Sequence, residues 1–503
     1  MRDLLNQTSF QFLLALVVLG CLFVFLGFGD VFFAGPGGIH FLRQTDSLSF
    51  ASQYFNRGFE FFEPRLLNLV NNDGKAACEF PITYFLAALI YKSVGNEPFV
   101  LKLLHFFIVS IGVFGVFKLA HRILQDYVYA ALIALFLFTS TVFNFYSFNY
   151  LPDAPALGFC LLGWYLFYEF ISTDKSRYGA LGAVFFALGG LIKVTYLINP
   201  LTAIVVLIGS RYFQYEKPID TRKRIRVSIW FVAGLIIPVV WVFYLIHYNN
   251  INQSTSFNTR AIPIWILNKG QVKEVLDHMW NFWYNKYFAH SSFHFLLVIS
   301  FIPFVFYKKA SSLLLLNVVI LFFGSLAYFI LFFPQFKDHD YYFLAFFPLF
   351  VFLIINGIKS FQNYTEKKAV HVGLKLILLI IVVVGTNYSH GKLQQRFEAT
   401  LDRFSKAGLT IERNLAQIDS LGIPRDAKLV VAPDNTPNGG LYFLNRMGWS
   451  IYSNEDLLEK VSQYKARGAE YLVLLSDSYR EDLINQLKLK LVWSNEDLSV
   501  YEI

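Results

Sequence analysis

Long charge-free apolar stretches recur along most of the chain, and they constrain its fold more than any other feature. Inside a bilayer no water is available to the backbone, so each stretch has to satisfy its own N–H and C=O groups as a helix. We therefore expect a polytopic α-helical membrane protein. The stretches cover residues 10–29, 127–147, 154–168, 178–192, 194–210, 227–246, 295–307, 310–333, 341–358 and 376–389, with a less uniform one at 98–120.

The composition supports this class and excludes others. The 503 residues are 55% hydrophobic and only 16% charged, a balance that soluble globular chains do not have. The net charge of +8 comes from Lys and Arg in loops, which is typical of cytoplasmic loops, and no basic patch with interleaved aromatic residues indicates a nucleic-acid partner. The three cysteines are too scattered to form a disulfide framework or a zinc cluster.

The positions of the basic residues predict the orientation of the chain. Loops rich in Lys and Arg should be cytoplasmic. Alternation from those loops places residues 30–97, 148–153, 248–291, 334–340 and everything after about 390 outside the cytoplasm. This requires about eleven transmembrane helices, with the short run from Pro81 to Gly95 lying in the membrane plane or re-entering it.

Two domains are expected. Residues 1–390 form the transmembrane domain, in which the first outer loop, 30–97, carries surface helices because its apolar residues recur at helical spacing. Residues 391–503 become rich in charge and read as a small soluble α/β domain outside the cytoplasm. Its predicted strands are 428–432, 470–475 and 489–493, and its predicted helices are 454–466 and 478–487. Its turns, including Asn438-Gly439-Gly440, carry no nucleotide-binding signature.

Ionisable residues gather on the predicted outer face. Such residues are costly beside a membrane helix unless they bind something, so they are candidates for function. For Asp153 the alternative is a plain helix N-cap, and for each lysine it is snorkelling to the interface. The acids are Asp46, Glu79 and Asp153, and the cationic and aromatic residues are Arg43, Lys102, Lys193, His339 and Tyr342.

The order and spacing of five segments resemble the GT-C superfamily of glycosyltransferases, in the branch of the protein O-mannosyltransferases and the lipid A aminoarabinose transferases. The resemblance covers roughly residues 1–350. The segments are RQTDSLSFASQYFNRGFEFFEP at 43–64, EFPITYF at 79–85, LPDAPAL at 151–157, GGLIKVTY at 189–196 and HDYYFLAFFP at 339–348.

The resemblance implies an inverting transfer of a hexosyl or pentosyl group from a polyprenyl-phosphate donor. Asp46 matches the essential acid of the first outer loop and would be the general base. Glu79 and Asp153 match further acids that position the sugar or acceptor, or hold a divalent ion. Lys102 stands where the family usually has an arginine. The residues expected to bind the donor phosphate are Arg43, Lys102, Lys193, His339 and Tyr342.

The expected acceptor is a glycolipid, a polysaccharide or a protein on the periplasmic face of a bacterial inner membrane, and the lipid bilayer is itself a partner. No cofactor is certain, and a divalent metal ion stays an open alternative. A membrane transporter or flippase for a lipid-linked or anionic substrate is the main competing function, since it would also be long, apolar and rich in ionisable groups. A receptor or scaffold is a third.

Overall fold

The computed structural model describes residues 8–213, 219–257, 261–398, 402–453, 456–475 and 481–503. A 3₁₀ segment spans Asp340–Phe346. The α-helices are, in chain order, α1 (Thr8–Phe25), α2 (Phe41–Arg57), α3 (Ile82–Val94), α4 (Phe99–Leu124), α5 (Tyr127–Phe136), α6 (Thr141–Ser147), α7 (Asp153–Thr173), α8 (Ser176–Ile192), α9 (Ile198–Gly209), α10 (Thr221–Ile251), α11 (Lys269–His278), α12 (Tyr284–Tyr287), α13 (His290–Val305), α14 (Ser312–Leu331), α15 (Gln335–Asp338), α16 (Phe347–Tyr364), α17 (Lys368–Phe397), α18 (Lys406–Arg413), α19 (Leu415–Ser420), α20 (Gly439–Leu444), α21 (Leu457–Ala466) and α22 (Glu481–Leu487).

Within the described ranges, six helices are long and apolar enough to cross a membrane, and the number rises to eight if each of two bent helix pairs forms one span. Four shorter apolar helices accompany them. A count of eleven requires both bent pairs and three of the shorter helices to cross, so that number stays a prediction. The predicted combination of many apolar helices with a small C-terminal sheet is confirmed.

The chain divides into two compact units. The helical unit contains Met1–Asp30, Leu103–Phe243 and Thr259–Gln394. The sheet unit contains Val31–Lys102, Tyr244–Asn258 and Gln395–Ile503. The sheet unit thus combines most of the predicted outer loop 30–97 with most of the predicted domain 391–503, and it adds the end of α10.

The sheet unit is built on a five-stranded mixed sheet. The strands are β1 (Leu429–Ala432), β2 (Gly448–Ser450), β3 (Tyr471–Leu475), β4 (Lys490–Ser494) and β5 (Leu498–Glu502). Their spatial order is β2-β1-β3-β5-β4, with β1 parallel to both β2 and β3, and β5 antiparallel to both β3 and β4. Both faces are covered by apolar side chains, since Leu429 and Val431 of β1 lie in one core cluster and Val430 and Ala432 lie in another.

The first outer loop packs into this sheet. Phe41 and Leu67 belong to the core cluster on one face, and Leu69 belongs to the cluster on the other. The backbone joins too, because the N–H of Leu69 donates to the carbonyl of Gly448 at 2.7 Å and the N–H of Gly448 donates to that of Leu67 at 3.1 Å. These bonds occupy the edge of β2, which would otherwise be an unpaired edge.

The three strands predicted in the C-terminal part are confirmed within one residue, and β2 and β5 were missed. β2 is only three residues long and contains Gly448, so it carries no alternation to detect. β5 does alternate, with Leu498 and Val500 buried, and a period of two could have revealed it. The predicted helix 454–466 appears as α21 and the helix 478–487 as α22, while residues 454–455 and 476–480 lie outside the described part. The run 81–95 forms α3, and its placement in the membrane plane stays a prediction.

Candidate active site

Asp46 lies on α2, whose inner face is buried. The start of this helix is fixed by Asp402, whose Oδ2 accepts a hydrogen bond from the N–H of Phe41 at 3.1 Å. Phe41 itself is fully buried in the core of the sheet unit. Asp46, little more than one turn later, is 2% exposed. The packing of α2 therefore holds a carboxylate in a nearly water-free position.

Arg43 lies between two buried acids. Its Nη1 is 3.5 Å from Asp46 Oδ2, and its Nη2 donates to both carboxylate oxygens of Glu79 at 3.1 and 3.2 Å. The hydroxyl of Tyr84 donates to Glu79 as well. The guanidinium carbon of Arg43 also lies 5.2 Å from the ring centroid of Phe257. The structure thus brings together Arg43, Asp46 and Glu79, which the sequence analysis singled out separately.

Asn438 is a residue of this site that the sequence analysis missed. Its Nδ2 donates to Asp46 Oδ1 at 2.8 Å. Its own Oδ1 accepts from Ser49 Oγ at 3.3 Å and from the N–H of Asn68 at 3.0 Å, so the orientation of the amide is fixed. No spacing rule could link positions 392 residues apart.

The turn that carries Asn438 is held by Asp434. The carboxylate of Asp434 accepts from the N–H and the hydroxyl of Thr436 at 2.9 and 2.7 Å, and from the N–H of Gly440 at 2.8 Å. Both Asp434 and Asn438 are fully buried. The sequence predicts a turn at Asn438-Gly439-Gly440, and the structure shows that this turn contacts Asp46.

The surroundings of Asp46 suit it to accept a proton near neutral pH. Burial raises its pKa to about 6, since a charged carboxylate loses its hydration, and this outweighs the opposite effects of Arg43 and of the hydrogen bond from Asn438. A carboxylate with this pKa is mostly ionised at pH 7 and is a stronger base than an exposed aspartate. The predicted role of Asp46 as a general base is compatible with this pKa and stays a prediction.

A second cluster lies in the helical unit. Asp153 is the first residue of α7, after Pro152 at the N-cap, and its Oδ1 lies 3.1 Å from Lys193 Nζ. Lys193 Nζ also lies 5.3 and 5.1 Å from the ring centroids of Tyr341 and Tyr342. The ammonium group is therefore held between a carboxylate and two aromatic faces.

His339 and Tyr342 belong to the same cluster. Their rings stack at 5.7 Å between centroids with an interplanar angle of 20°. The neighbouring Asp340 is fully buried and accepts a hydrogen bond from the hydroxyl of Tyr146 at 2.6 Å. Tyr146 and Asp340 were not predicted as site residues. The sequence places this cluster and Asp46 on the same outer face, and that placement stays a prediction.

Lys102 binds the backbone at the start of the outer loop. Its Nζ donates to the carbonyls of Val31 and Ala34 at 2.5 and 2.9 Å, and the side chain is 4% exposed. It thereby ties the start of the outer loop to the first turn of α4. Its predicted contact with the donor phosphate stays a prediction.

The acids do not gather as metal ligands. Among the residues that the structure describes, no group of three His, Cys, Asp or Glu side chains is placed to hold a metal ion. Asp46 and Glu79, the two neighbouring carboxylates, are arranged about the guanidinium of Arg43. One cation of the chain, Arg43, thus offsets one of the two negative charges and lies between the two acids.

Comparison with known proteins agrees with this architecture. The sequence model of the family described as "Dolichyl-phosphate-mannose-protein mannosyltransferase" matches residues 78–244. The apo structure of ArnT from Cupriavidus metallidurans matches with a TM-score of 0.61 at 12% identity, over 96% of this chain and 98% of that chain. Its structure bound to undecaprenyl phosphate matches with a TM-score of 0.65 at 12% identity, over 98% of both chains. This chain has the GT-C fold.

More distant GT-C structures match as well. The oligosaccharyltransferase AglB from Archaeoglobus fulgidus, in complex with an inhibitory peptide and a dolichol-phosphate, gives a TM-score of 0.52 at 10% identity over 93% of this chain and 70% of that one. The arabinofuranosyltransferase AftD from Mycobacteria gives 0.54 at 12% identity over 97% and 40%. A search of the curated proteins found no match. The resemblance stated from the sequence is confirmed, and the chain is an integral membrane protein.

Proposed function

We propose that this GT-C chain transfers a monosaccharide, with inversion, from a polyprenyl-phosphate donor to a hydroxyl of a glycolipid, glycan or protein on the extracytoplasmic face. The observation that carries the proposal is the buried carboxylate of Asp46, held by Arg43 and Asn438 and ionising near pH 6. The donor class is supported by the solved structures, since ArnT binds undecaprenyl phosphate and AglB binds a dolichol-phosphate.

The reaction needs a base because an acceptor hydroxyl is a weak nucleophile. Asp46 takes the hydroxyl proton while the acceptor oxygen forms a bond to the anomeric carbon. The bond from that carbon to the phosphate oxygen breaks on the opposite face, and the electron pair leaves with the polyprenyl phosphate. One displacement of this kind inverts the configuration at the anomeric carbon.

The leaving phosphate gains negative charge, so fixed cations favour the transition state. Arg43 is the cation next to Asp46, and its fork of donors is already oriented by Glu79. In the helical unit Lys193 is oriented by Asp153, with His339 and Tyr342 beside it. We assign these residues to the donor phosphate, together with Lys102, and we assign Glu79 and Asp153 to positioning.

The nature of the donor indicates on which face of the membrane the transfer takes place. Nucleotide sugars are not available outside the cytoplasm, so a lipid carrier has to deliver the sugar there, and an active site at the bilayer edge suits such a carrier. We propose the inner membrane of a bacterium, with the site facing the periplasm.

The substitution Asp46→Asn tests the base. Asparagine keeps the shape and the hydrogen bond with Asn438 through its Oδ1 but cannot accept a proton, so turnover of a polyprenyl-phosphate sugar by the purified protein should fall by about 100-fold or more. The measurement is release of polyprenyl phosphate in detergent. Asp419→Asn, at an exposed position of α19, is the matched control and should keep full turnover.

Near-normal turnover by Asp46→Asn would show that the base is another residue. The detergent assay also separates transfer from transport, because a transporter or flippase needs two compartments and would consume no donor in micelles. Since the guanidinium of Arg43 lies between Asp46 and Glu79, we expect EDTA to leave turnover unchanged. A loss restored by a divalent ion would assign the acids to a metal.

A further inference from the structure

The sheet unit contains a cavity that the mechanism above does not use. Its volume is about 760 Å³, within the range of roughly 300–1,000 Å³ that small-ligand sites occupy. All of its lining residues belong to the outer loop or to the C-terminal part, so it is internal to one unit. They are Gln53, Asn56, Arg57, Leu67, Leu69, Asp73, Arg425, Asp426, Lys428, Asn445, Met447, Trp449 and Arg467.

The lining has an excess of positive charge. It includes four cationic and two acidic side chains, and one of the acids, Asp73, is paired with Arg57 at 2.9 Å. Within the described part of the chain, Arg425 and Lys428 make no ion pair, and both are exposed. Two cations are therefore available to an anionic group.

The uncharged lining residues of the cavity fit a carbohydrate. Leu67, Leu69 and Met447 provide apolar surface for the C–H groups of a sugar ring, and Asn56 and Asn445 provide amides. The guanidinium of Arg467 is held in place, since its Nη2 donates to the carbonyl of Leu69 at 2.7 Å and it lies 5.2 Å from the ring centroid of Trp449.

The cavity is linked to Asp46 through α2. Asp46, Ser49, Gln53 and Arg57 follow one another at helical spacing along one face. Asn438 bonds to both Asp46 and Ser49, and Ser49 Oγ accepts from the N–H of Leu67, a lining residue, at 2.7 Å. The seven residues from Asp46 to Gln53 correspond to about 10 Å along the helix, a distance that a short oligosaccharide spans.

We propose that this cavity binds an acidic sugar of the acceptor, with its carboxylate or phosphate held by Arg425 and Lys428 and its hydroxyl groups by the amides of Asn56 and Asn445. The assignment to the acceptor rests on the proposed function. The binding itself does not, because it concerns the cavity alone. The acceptor would then be an anionic glycan or glycolipid that presents a free hydroxyl to Asp46.

Calorimetric titration of the purified full-length protein with four probes tests this proposal. Glucuronic acid and glucose 6-phosphate test a carboxylate and a phosphate as the anionic group, while glucose lacks the anionic group and inorganic phosphate lacks the sugar ring. At least one acidic sugar should bind more tightly than both glucose and inorganic phosphate. The double substitution Arg425→Gln/Lys428→Gln should weaken that binding about 10-fold or more.

The matched control is Lys460→Gln/Lys465→Gln, which removes the same charge from α21 outside the cavity lining and should bind the acidic sugar as the unaltered protein does. Equal binding of inorganic phosphate and glucose 6-phosphate would overturn the sugar assignment, and no binding of either acidic sugar would overturn the proposal as a whole. Asp46→Asn should still bind the acidic sugar. Its turnover therefore reports on the proposed function independently of the cavity.

Discussion

At the scale of single residues, the ionisation of Asp46 depends on its burial and on two neighbours, Arg43 and Asn438, from different parts of the chain. Burial on α2 raises its pKa, whereas Arg43 and Asn438 lower it. The balance, a pKa of about 6, leaves the group ionised at neutral pH and still basic. A base that ionised far below pH 6 would be weaker, and one that ionised far above pH 7 would be mostly protonated.

We expect the rate to fall as pH drops through this pKa. Because the base must be ionised, kcat/KM should decline with unit slope below about pH 6. Asn438→Ala removes a hydrogen bond that favours the charged form, so its acidic limb should shift to higher pH. The measurement is donor consumption between pH 4.5 and 8, in steps of about half a unit around the limb.

Asn435→Ala is the matched control for that shift, because Asn435 lies in the same turn but takes no part in the hydrogen bonds of Asp46. An acidic limb that stays in place in Asn438→Ala, while turnover at neutral pH is kept, would mean that Asp46 is not the group that titrates. A loss of turnover at every pH with no shift would instead assign Asn438 a purely structural role.

At the scale of elements, the position of Asp153 depends on how closely α7 packs against α4. A Cβ at Gly158 of α7 would lie 2.7 Å from the carbonyl oxygen of Ile108, and one at Gly112 of α4 would lie 2.5 Å from that of Gly158. The two backbones therefore touch where both residues are glycine, as small residues allow in membrane helices. Asp153 lies little more than one turn away on α7.

Gly158→Ala should separate these helices and destabilise the protein by about 1–3 kcal/mol, since the added methyl meets backbone that cannot move aside. The thermal unfolding midpoint in detergent should fall. Gly373→Ala on α17 is the matched control, because nothing lies within 4 Å of a Cβ built there. It should leave the midpoint unchanged or raise it. Equal midpoints for the two variants would contradict the close crossing.

At the scale of the whole molecule, the sheet unit is assembled from three distant segments. Phe41 and Leu67 of the outer loop share a core cluster with Ile411 and Val431 of the C-terminal part. In the third segment, Asn249 exchanges two hydrogen bonds with the backbone of Ala77, at 2.7 and 2.8 Å. Residues beyond 394 thus bury apolar side chains of the outer loop.

Deletion of Gln395–Ile503 should therefore disorder the outer loop as well as remove the sheet. Apolar side chains such as Phe41 lose their core partners, so the segment 31–102 should become sensitive to protease. Donor consumption should be lost although Arg43, Asp46 and Glu79 are retained. Limited proteolysis of the full-length chain provides the comparison. A truncated chain that kept both its resistance and its turnover would show that the outer loop folds without the sheet.

The sequence by itself determined the apolar helices, three of the five strands and the candidate residues, because these depend on local periodicity, charge and composition. It also identified the GT-C resemblance through the order of short segments such as LPDAPAL at 151–157. Only the tertiary structure decided that Asn438 bonds to Asp46, that Arg43 joins Asp46 to Glu79, and that Leu67 and Leu69 extend the sheet. The physical reason is that burial and hydrogen bonding act between side chains close in space, and residues 46 and 438 become neighbours only when the outer loop packs on the sheet.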